Sequence, residues 1–387
     1  MRLKAKETAI AKSLFLLSSI NFLKISFTMK DFLTILVVST PVGSIGSGKA
    51  GGVELTIKNI VSNLSARGHI IDVVAPLGSE LVCRNLHLVA GNFSELAQNC
   101  PNQDTVVIPD NSILEKMWEY ARQVQHNYDL VINFAYDWLP LYLTPFFERP
   151  VAHWISMSCI SSVMDHMVTK TVQMFPKTLA VNTLSSASTF QAKEQLLIMG
   201  KGIDLQKYSF VEEPKTKNLA WAGRISPEKG LGDAIEAAIL FGRKIDIFGV
   251  IQDHDYWQSI QNKYPTSVYN YHGFLPTSDF QSKLGNCTCL LMTSHWIEAF
   301  GNVVIEALAC GVPVITYNQG GPAEIIEHGV TGWLVEPKSI TALAEHLPKI
   351  KQINRHNCRL SVENKFSLNA FTDRIEFWFK DILKSAN

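Results

Sequence analysis

Two carboxylates eight residues apart, Glu298 and Glu306 in HWIEAFGNVVIEALACGVPVIT, carry the first chemical signal in the chain. Ala299 to Asn302 reads as a loop feeding a helix, and Asn302 to Ala309 is apolar at helical spacing. Glu298 would lie just before that helix and Glu306 two turns into it. The unpaired N–H groups and positive dipole end at a helix start suit an anion such as a diphosphate, while a carboxylate beside them can accept sugar hydroxyls. A Glu pair alone is equally well read as a cap and a solvated face residue. Two other loops decide between these readings.

The first is Ala222-Gly223-Arg224-Ile225-Ser226-Pro227-Glu228-Lys229-Gly230, between the strand-like Leu219–Trp221 and the helical Leu231–Phe241. Arg224 offers a planar fork for two phosphate oxygens and Lys229 a mobile point charge. The second is Tyr317-Asn318-Gln319-Gly320-Gly321-Pro322-Ala323-Glu324, after the apolar run Val312–Thr316. Its glycines permit either close approach to a ligand or simply a tight turn.

GRISPEKG, EAFGNVVIE and GGPAEII, followed by HGVTGWLVEP, resemble in order and spacing the C-terminal half of the retaining glycosyltransferases of family 4. That resemblance implies an α/β protein of the GT-B fold, with two doubly wound Rossmann-like domains facing across a cleft. It implies that Arg224 and Lys229 bind the donor diphosphate, Glu306 holds the ribose hydroxyls and Glu298 contacts the donor sugar. Arg224, Lys229 and Glu298 would carry the catalysis, with the amides of Phe300, Gly301 and Asn302 near the phosphates or the sugar. His295 and Trp296 could line the same pocket or serve as packing.

The N-terminal half opens on a glycine-rich loop with three readings. Gly43–Ala50 nearly spells a triphosphate-binding loop, but Ala50 stands where a Ser or Thr hydroxyl should ligate magnesium. Gly46–Gly51 satisfies a dinucleotide fingerprint, yet the next strand, Ile70–Ala75, ends without an acid to hold a ribose. In the third reading, Gly51-Gly52-Val53-Glu54 opens a helix from Val53 to Arg67. The family resemblance places that helix start, with Gly51 and Gly52, against the donor phosphates from the opposite domain. Asp253-His254-Asp255 imitates a metal-binding carboxylate pair but suits the first turn of a helix. No metal and no cofactor is expected.

The acceptor signal lies in NFAYDWLPLYLTPFF (133–147) and PVAHWISMS (150–158). Asp137 sits between Tyr136 and Trp138 at a strand's C-terminal end, where such sheets bind ligands. Flat aromatics and a carboxylate suit a planar heterocycle that stacks and donates adjacent N–H bonds. Asp137 reads as the residue for that heterocycle's edge, with Asp165 and Glu54 as rivals, or else as a helix cap with Tyr136 and Trp138 in the core. These segments, with Ser39–Gly43 and Gly51–Thr56, resemble the UDP-glucose:tetrahydrobiopterin glucosyltransferases from about Phe32 onward. The resemblance implies glucose transfer from UDP-glucose to a side-chain hydroxyl of tetrahydrobiopterin or a related pterin. Many family 4 enzymes carry a His near the reacting centre. Here Ser156 holds that position, and His153 lies three residues earlier. The alternatives are another sugar, lipid or small-molecule acceptor, or a nucleotide-sugar-binding protein without activity.

The whole chain must position these groups. With 387 residues, 47% hydrophobic and 18% charged, it can bury two ordinary domains. Lys plus Arg and Asp plus Glu are both 35, so neither nucleic acid nor a membrane surface is an expected partner. Seven cysteines without a CxxC pair fit a reducing, cytoplasmic setting. Residues 1–28 read as an upstream extension, too short to span a membrane and lacking a cleavage site. Expected strands at 129–133, 150–155, 219–222, 245–248, 289–292 and 312–316 alternate with helices, as in parallel sheets. The expected division is an acceptor domain 29–205, a nucleotide-sugar domain 206–365, and an aromatic terminal helix 366–387. In family 4 that last helix crosses back onto the first domain.

Overall fold

Short apolar runs separated by amphipathic helices dictate sheets buried on both faces, and two such sheets form. A computed structural model describes residues 32–47, 51–95 and 106–386. The expected 1–28 extension, Gly48 to Ala50 of the glycine loop, and Cys100 lie outside the described residues.

The first sheet contains β1 (Thr34–Val38), β2 (Ile70–Pro76), β3 (Asn85–Val89), β4 (Leu130–Asn133), β5 (Val151–Ile155), β6 (Leu179–Val181) and β7 (Leu197–Ile198). Their order is β3-β2-β1-β4-β5-β6-β7, all parallel. The second contains β8 (Leu219–Ala222), β9 (Ile245–Phe248), β10 (Tyr269–Tyr271), β11 (Cys289–Met292), β12 (Val314–Tyr317) and β13 (Gly332–Val335). Its order is β10-β9-β8-β11-β12-β13, again all parallel. In both sheets the strand order reverses beside the first strand, which opens a crevice at the strands' C-terminal ends. The expected strand 312–316 runs instead from Val314 to Tyr317, because Val312 N–H still bonds Ala307 O of the preceding helix at 2.8 Å.

The terminal helix Leu368–Ala386 belongs to the first sheet's core. Phe371, Ile375, Trp378, Phe379 and Ile382 pack with Ile57, Ile60, Val61 and Leu64 of the helix Gly52–Ala66. The Trp154 ring meets Phe371 edge-on at 5.7 Å and Trp378 at 6.3 Å. Each such ring contributes roughly 1.5–3 kcal/mol by burial. Polar contacts fix the register: Arg67 pairs with Asp373 at 2.6 Å, and His69 Nε2 lies 3.1 Å from Glu376. The chain therefore crosses from the second sheet back to the first.

Candidate active site

A cleft of about 1400 Å³ runs between the C-terminal ends of the two sheets. Its first wall holds Gly51 and Gly52, Tyr136 to Trp138 after β4, and Ser156 to Ser161 after β5. Its second holds Arg224 and Lys229 after β8, Gln252 after β9, and Trp296 to Asn302 after β11. Segments far apart in sequence meet here because each follows a strand.

Backbone geometry requires the glycines. Gly301 adopts φ 94° as it starts the helix Asn302–Ala309, and a Cβ there would lie 2.9 Å from Pro322. A Cβ on Gly52 would run into the Asn302 side-chain amide. The starts of the helices Gly52–Ala66 and Asn302–Ala309 thus face each other across the cleft, and both positive ends converge there. Gly320 and Gly321 do different work. Gly321 N–H donates to the Glu298 carbonyl at 2.7 Å, and a Cβ on Gly320 would lie 2.8 Å from Glu298 N. The close approach those glycines allow is to the Glu298–Phe300 backbone, not to a ligand.

Glu298 is the centre of the charge pattern. Its Oε2 forms an ion pair with Lys229 Nζ and accepts from Trp296 Nε1 at 3.0 Å. Burial works to raise its pKa, but Lys229, the Trp296 bond and nearby Arg224 together hold the carboxyl below the usual range. Lys229 Nζ also lies 4.8 Å from the centre of the Trp296 ring. Arg224 bonds Gln252 through one nitrogen. His295, by contrast, is held by Asp233 at 2.7 Å and packs against Tyr317.

Glu306 lies four residues past Asn302, one turn into the helix rather than two, and it is not among the residues lining the cleft. Its Oε1 accepts from Tyr208 Oη at 2.8 Å, and burial raises its pKa against the lowering effect of that bond. Tyr208, in the segment joining the two sheets, escapes sequence reading because its partner is ninety-eight residues away.

On the first wall, the expected acceptor residues Tyr136, Asp137, Trp138 and Ser156 all line the cleft. Asp137 is also the N-cap of the helix Trp138–Leu143, its Oδ1 accepting from Leu139 N–H at 2.9 Å. Burial raises its pKa while the Leu139 and Trp138 amides oppose the rise. The cap reading is therefore real, and one carboxylate oxygen remains outside that bond. Tyr136 Oη spans to the β5 loop, with Ser158 O and Ile160 N each at 3.4 Å.

Three of the expected acceptor residues are placed elsewhere. His153 is fully buried in the middle of β5, with Nε2 2.8 Å from Thr144 Oγ1 and Nδ1 3.3 Å from Asn133. Burial pushes its pKa down to about 3, so it is a neutral core group and not a cleft residue. Alternation along the strand sends Trp154 to one face and His153 to the other, and neither reaches the crevice. Glu54 folds back on its own loop, accepting from Gly46 N–H at 2.7 Å and Ser47 Oγ at 3.3 Å. Asp165 Oδ1 accepts from Gln191 N–H at 2.8 Å, securing the chain beyond β6. Asp253 caps the helix His254–Lys263 through Tyr256 N–H at 2.8 Å, the local role its position suggests.

Two cleft residues carry no sequence signal. Asn182, 1% exposed, follows β6 and leaves its Oδ1 without a hydrogen-bond partner among the described residues. Lys201 follows β7 in what reads as a plain linker, yet it is buried and lines the cleft.

Comparison with known proteins agrees with this geometry. Residues 204–372 match the family model for glycosyl transferases group 1. The chain is 31% identical over 185 residues to a capsular polysaccharide biosynthesis glycosyltransferase, CapM, of Staphylococcus aureus, covering 43% of this chain and 47% of that one. It is 36% identical over 135 residues to the human alpha-1,3/1,6-mannosyltransferase ALG2, covering 33% and 32%. The chain thus spans less than half the length of these relatives. Among solved structures, Anabaena Alr3699/HepE in complex with UDP-glucose superimposes with a TM-score of 0.67 at 19% identity, covering 90% of this chain and all of that one. A glycosyltransferase of Rickettsia africae gives 0.71 at 21%, covering 92% and 100%. The fold is GT-B.

Proposed function

We propose that this chain is a nucleotide-sugar-dependent glycosyltransferase that moves glucose, with retention and without a required metal, from UDP-glucose to a side-chain hydroxyl of tetrahydrobiopterin or a related pterin. The observation that carries the donor half is the meeting of two helix starts with Arg224 and Lys229 around the carboxylate Glu298. Such a place favours a diphosphate: fixed N–H dipoles and cations face an anion with no reorganisation required. The match of residues 204–372 to the glycosyl transferases group 1 model supports the same reading. The UDP-glucose held by the Anabaena protein of the same fold supports UDP-glucose as the donor to test first.

In this mechanism Arg224 and Lys229 stabilise charge on the departing UDP, Glu298 binds the sugar, and Glu306, set behind the cleft lining on Tyr208, would hold ribose through the carboxylate oxygen outside that bond. The leaving phosphate oxygen takes the acceptor proton on the same face, so neither His153 nor Ser156 need act as a base. For the acceptor half, the support is the wall of Tyr136, Asp137 and Trp138, which offers stacking surface beside a carboxylate. The motif resemblance of residues 133–158 names the heterocycle. The bond Asp253 makes to Tyr256 N–H supports the capping reading of Asp253-His254-Asp255 over a metal-ligand reading.

The test is UDP release from UDP-glucose, UDP-N-acetylglucosamine and GDP-mannose with reduced pterin as acceptor, in EDTA. Release from UDP-glucose alone, dependent on pterin, supports the proposal. Release from another donor overturns the glucose assignment, and binding without release supports a silent nucleotide-sugar-binding protein.

A further inference from the structure

Lys201 is 8% exposed, and its ammonium has no hydrogen-bond or ion-pair partner among the described residues. The backbone that presents it is fixed from two sides. Asn59 of the helix Gly52–Ala66 donates to Gly202 O at 2.9 Å, and Arg374 of the terminal helix donates to Met199 O at 2.9 Å. Gly202 has no room for a side chain, since a Cβ there would lie 2.6 Å from Phe371. The lysine is thus anchored to the first domain and aimed across the cleft.

Its surroundings point to an anion. Nζ would lie 3.3 Å from a Cβ on Gly52, at the start of one helix, and it lies 5.8 Å from the Phe300 ring centre in the loop leading to the other. The neighbouring carboxylate, Glu298, is already paired with Lys229. Burial pushes the Lys201 pKa down to about 8, with Glu298 working against the fall. An uncompensated buried ammonium destabilises a ligand-free protein and is repaired by an anion bound beside it.

We propose that Lys201 is a third cationic ligand of the donor diphosphate, reaching it from the first domain opposite Arg224 and Lys229. This inference rests on the nucleotide-sugar reading above. A diphosphate held between Arg224 and Lys229 on one wall and Lys201 with the Gly52 helix start on the other would bridge the two domains.

Calorimetry of UDP and of uridine with the wild-type chain and Lys201→Met tests it, because uridine keeps the base and ribose but lacks phosphate. The expected result is a UDP Kd raised roughly 10- to 30-fold in the variant, with uridine affinity unchanged. The ligand-free variant should melt at the same temperature as the wild type or higher, because a buried charge has been replaced by an apolar side chain. UDP affinity within twofold of wild type, or equal weakening of UDP and uridine, overturns the role while leaving the donor reading intact. A wild-type chain that takes up no UDP overturns both.

Discussion

Replacing Lys229 with Met breaks the ion pair at the centre of the cleft and makes the charge pattern measurable. Glu298 keeps 19% of its side chain exposed and Lys229 only 11%. Removing one partner of a buried pair costs about 3–5 kcal/mol, and the remaining solvent exposure brings this pair below that range, to roughly 2–3 kcal/mol. The orphaned Glu298 would retain the Trp296 bond, so the loss should not exceed that range. The assay is urea unfolding of wild type, Lys229→Met, Glu298→Gln and the double variant, which isolates the coupling between the two side chains. Glu298 has a depressed pKa in the folded state. Its contribution is therefore fully present above the ordinary Glu value of 4.5 and is lost as pH falls below it. The coupling should be about 1 kcal/mol or more at pH 7 and should shrink progressively as pH falls below 4.5. A cycle that closes to zero at pH 7, or a coupling that does not weaken at all as the solution is acidified below pH 4.5, would contradict this picture of the pair.

Three further outcomes follow from particular side chains. Glu306→Ala should weaken UDP binding by roughly 1–3 kcal/mol if Glu306 holds ribose; unchanged affinity by calorimetry would instead make Glu306 a structural partner of Tyr208. Asp137→Asn keeps a good helix cap, so melting should barely move while the pterin KM rises and UDP affinity holds; a lowered melting temperature with an unchanged KM would leave only the cap. His153→Leu should cost roughly 1–3 kcal/mol by removing the imidazole's bonds to Thr144 and Asn133, with both substrate affinities preserved. With its pKa at about 3, the His153 ring should show no NMR titration between pH 5 and 8, and a titrating signal would contradict its burial.

The second domain is the more legible half in sequence because its signals are local. Asn302–Ala309 carries its helical period and its glycine start in consecutive residues, and the loops bearing Arg224, Lys229 and Glu298 each follow a recognisable strand. The first domain's wall of the cleft is legible where a loop follows β4, at Tyr136 to Trp138. It is not legible inside β5. A strand buried on both faces shows no alternation of polarity, so nothing in Val151–Ile155 says which way His153 points. Glu54 misleads for a conformational reason, since its partners Gly46 and Ser47 lie on a loop that folds back only in three dimensions. Lys201 and Asn182 stay hidden because burial is made by distant segments. Phe300 and Gly52 surround the lysine, and no periodicity near residue 201 reports them. The paired glycines at 320 and 321 do signal a point of close approach, but sequence alone does not distinguish a ligand from the Glu298 backbone.

Transfer to a pterin is tested most simply by mass spectrometry of the full chain incubated with UDP-glucose and tetrahydrobiopterin under reductant, in EDTA. A pterin product heavier by one hexose, formed with stoichiometric UDP, is expected. Unmodified pterin beside a chain that still binds UDP-glucose would contradict the pterin assignment and return the acceptor wall around Asp137 to some other molecule.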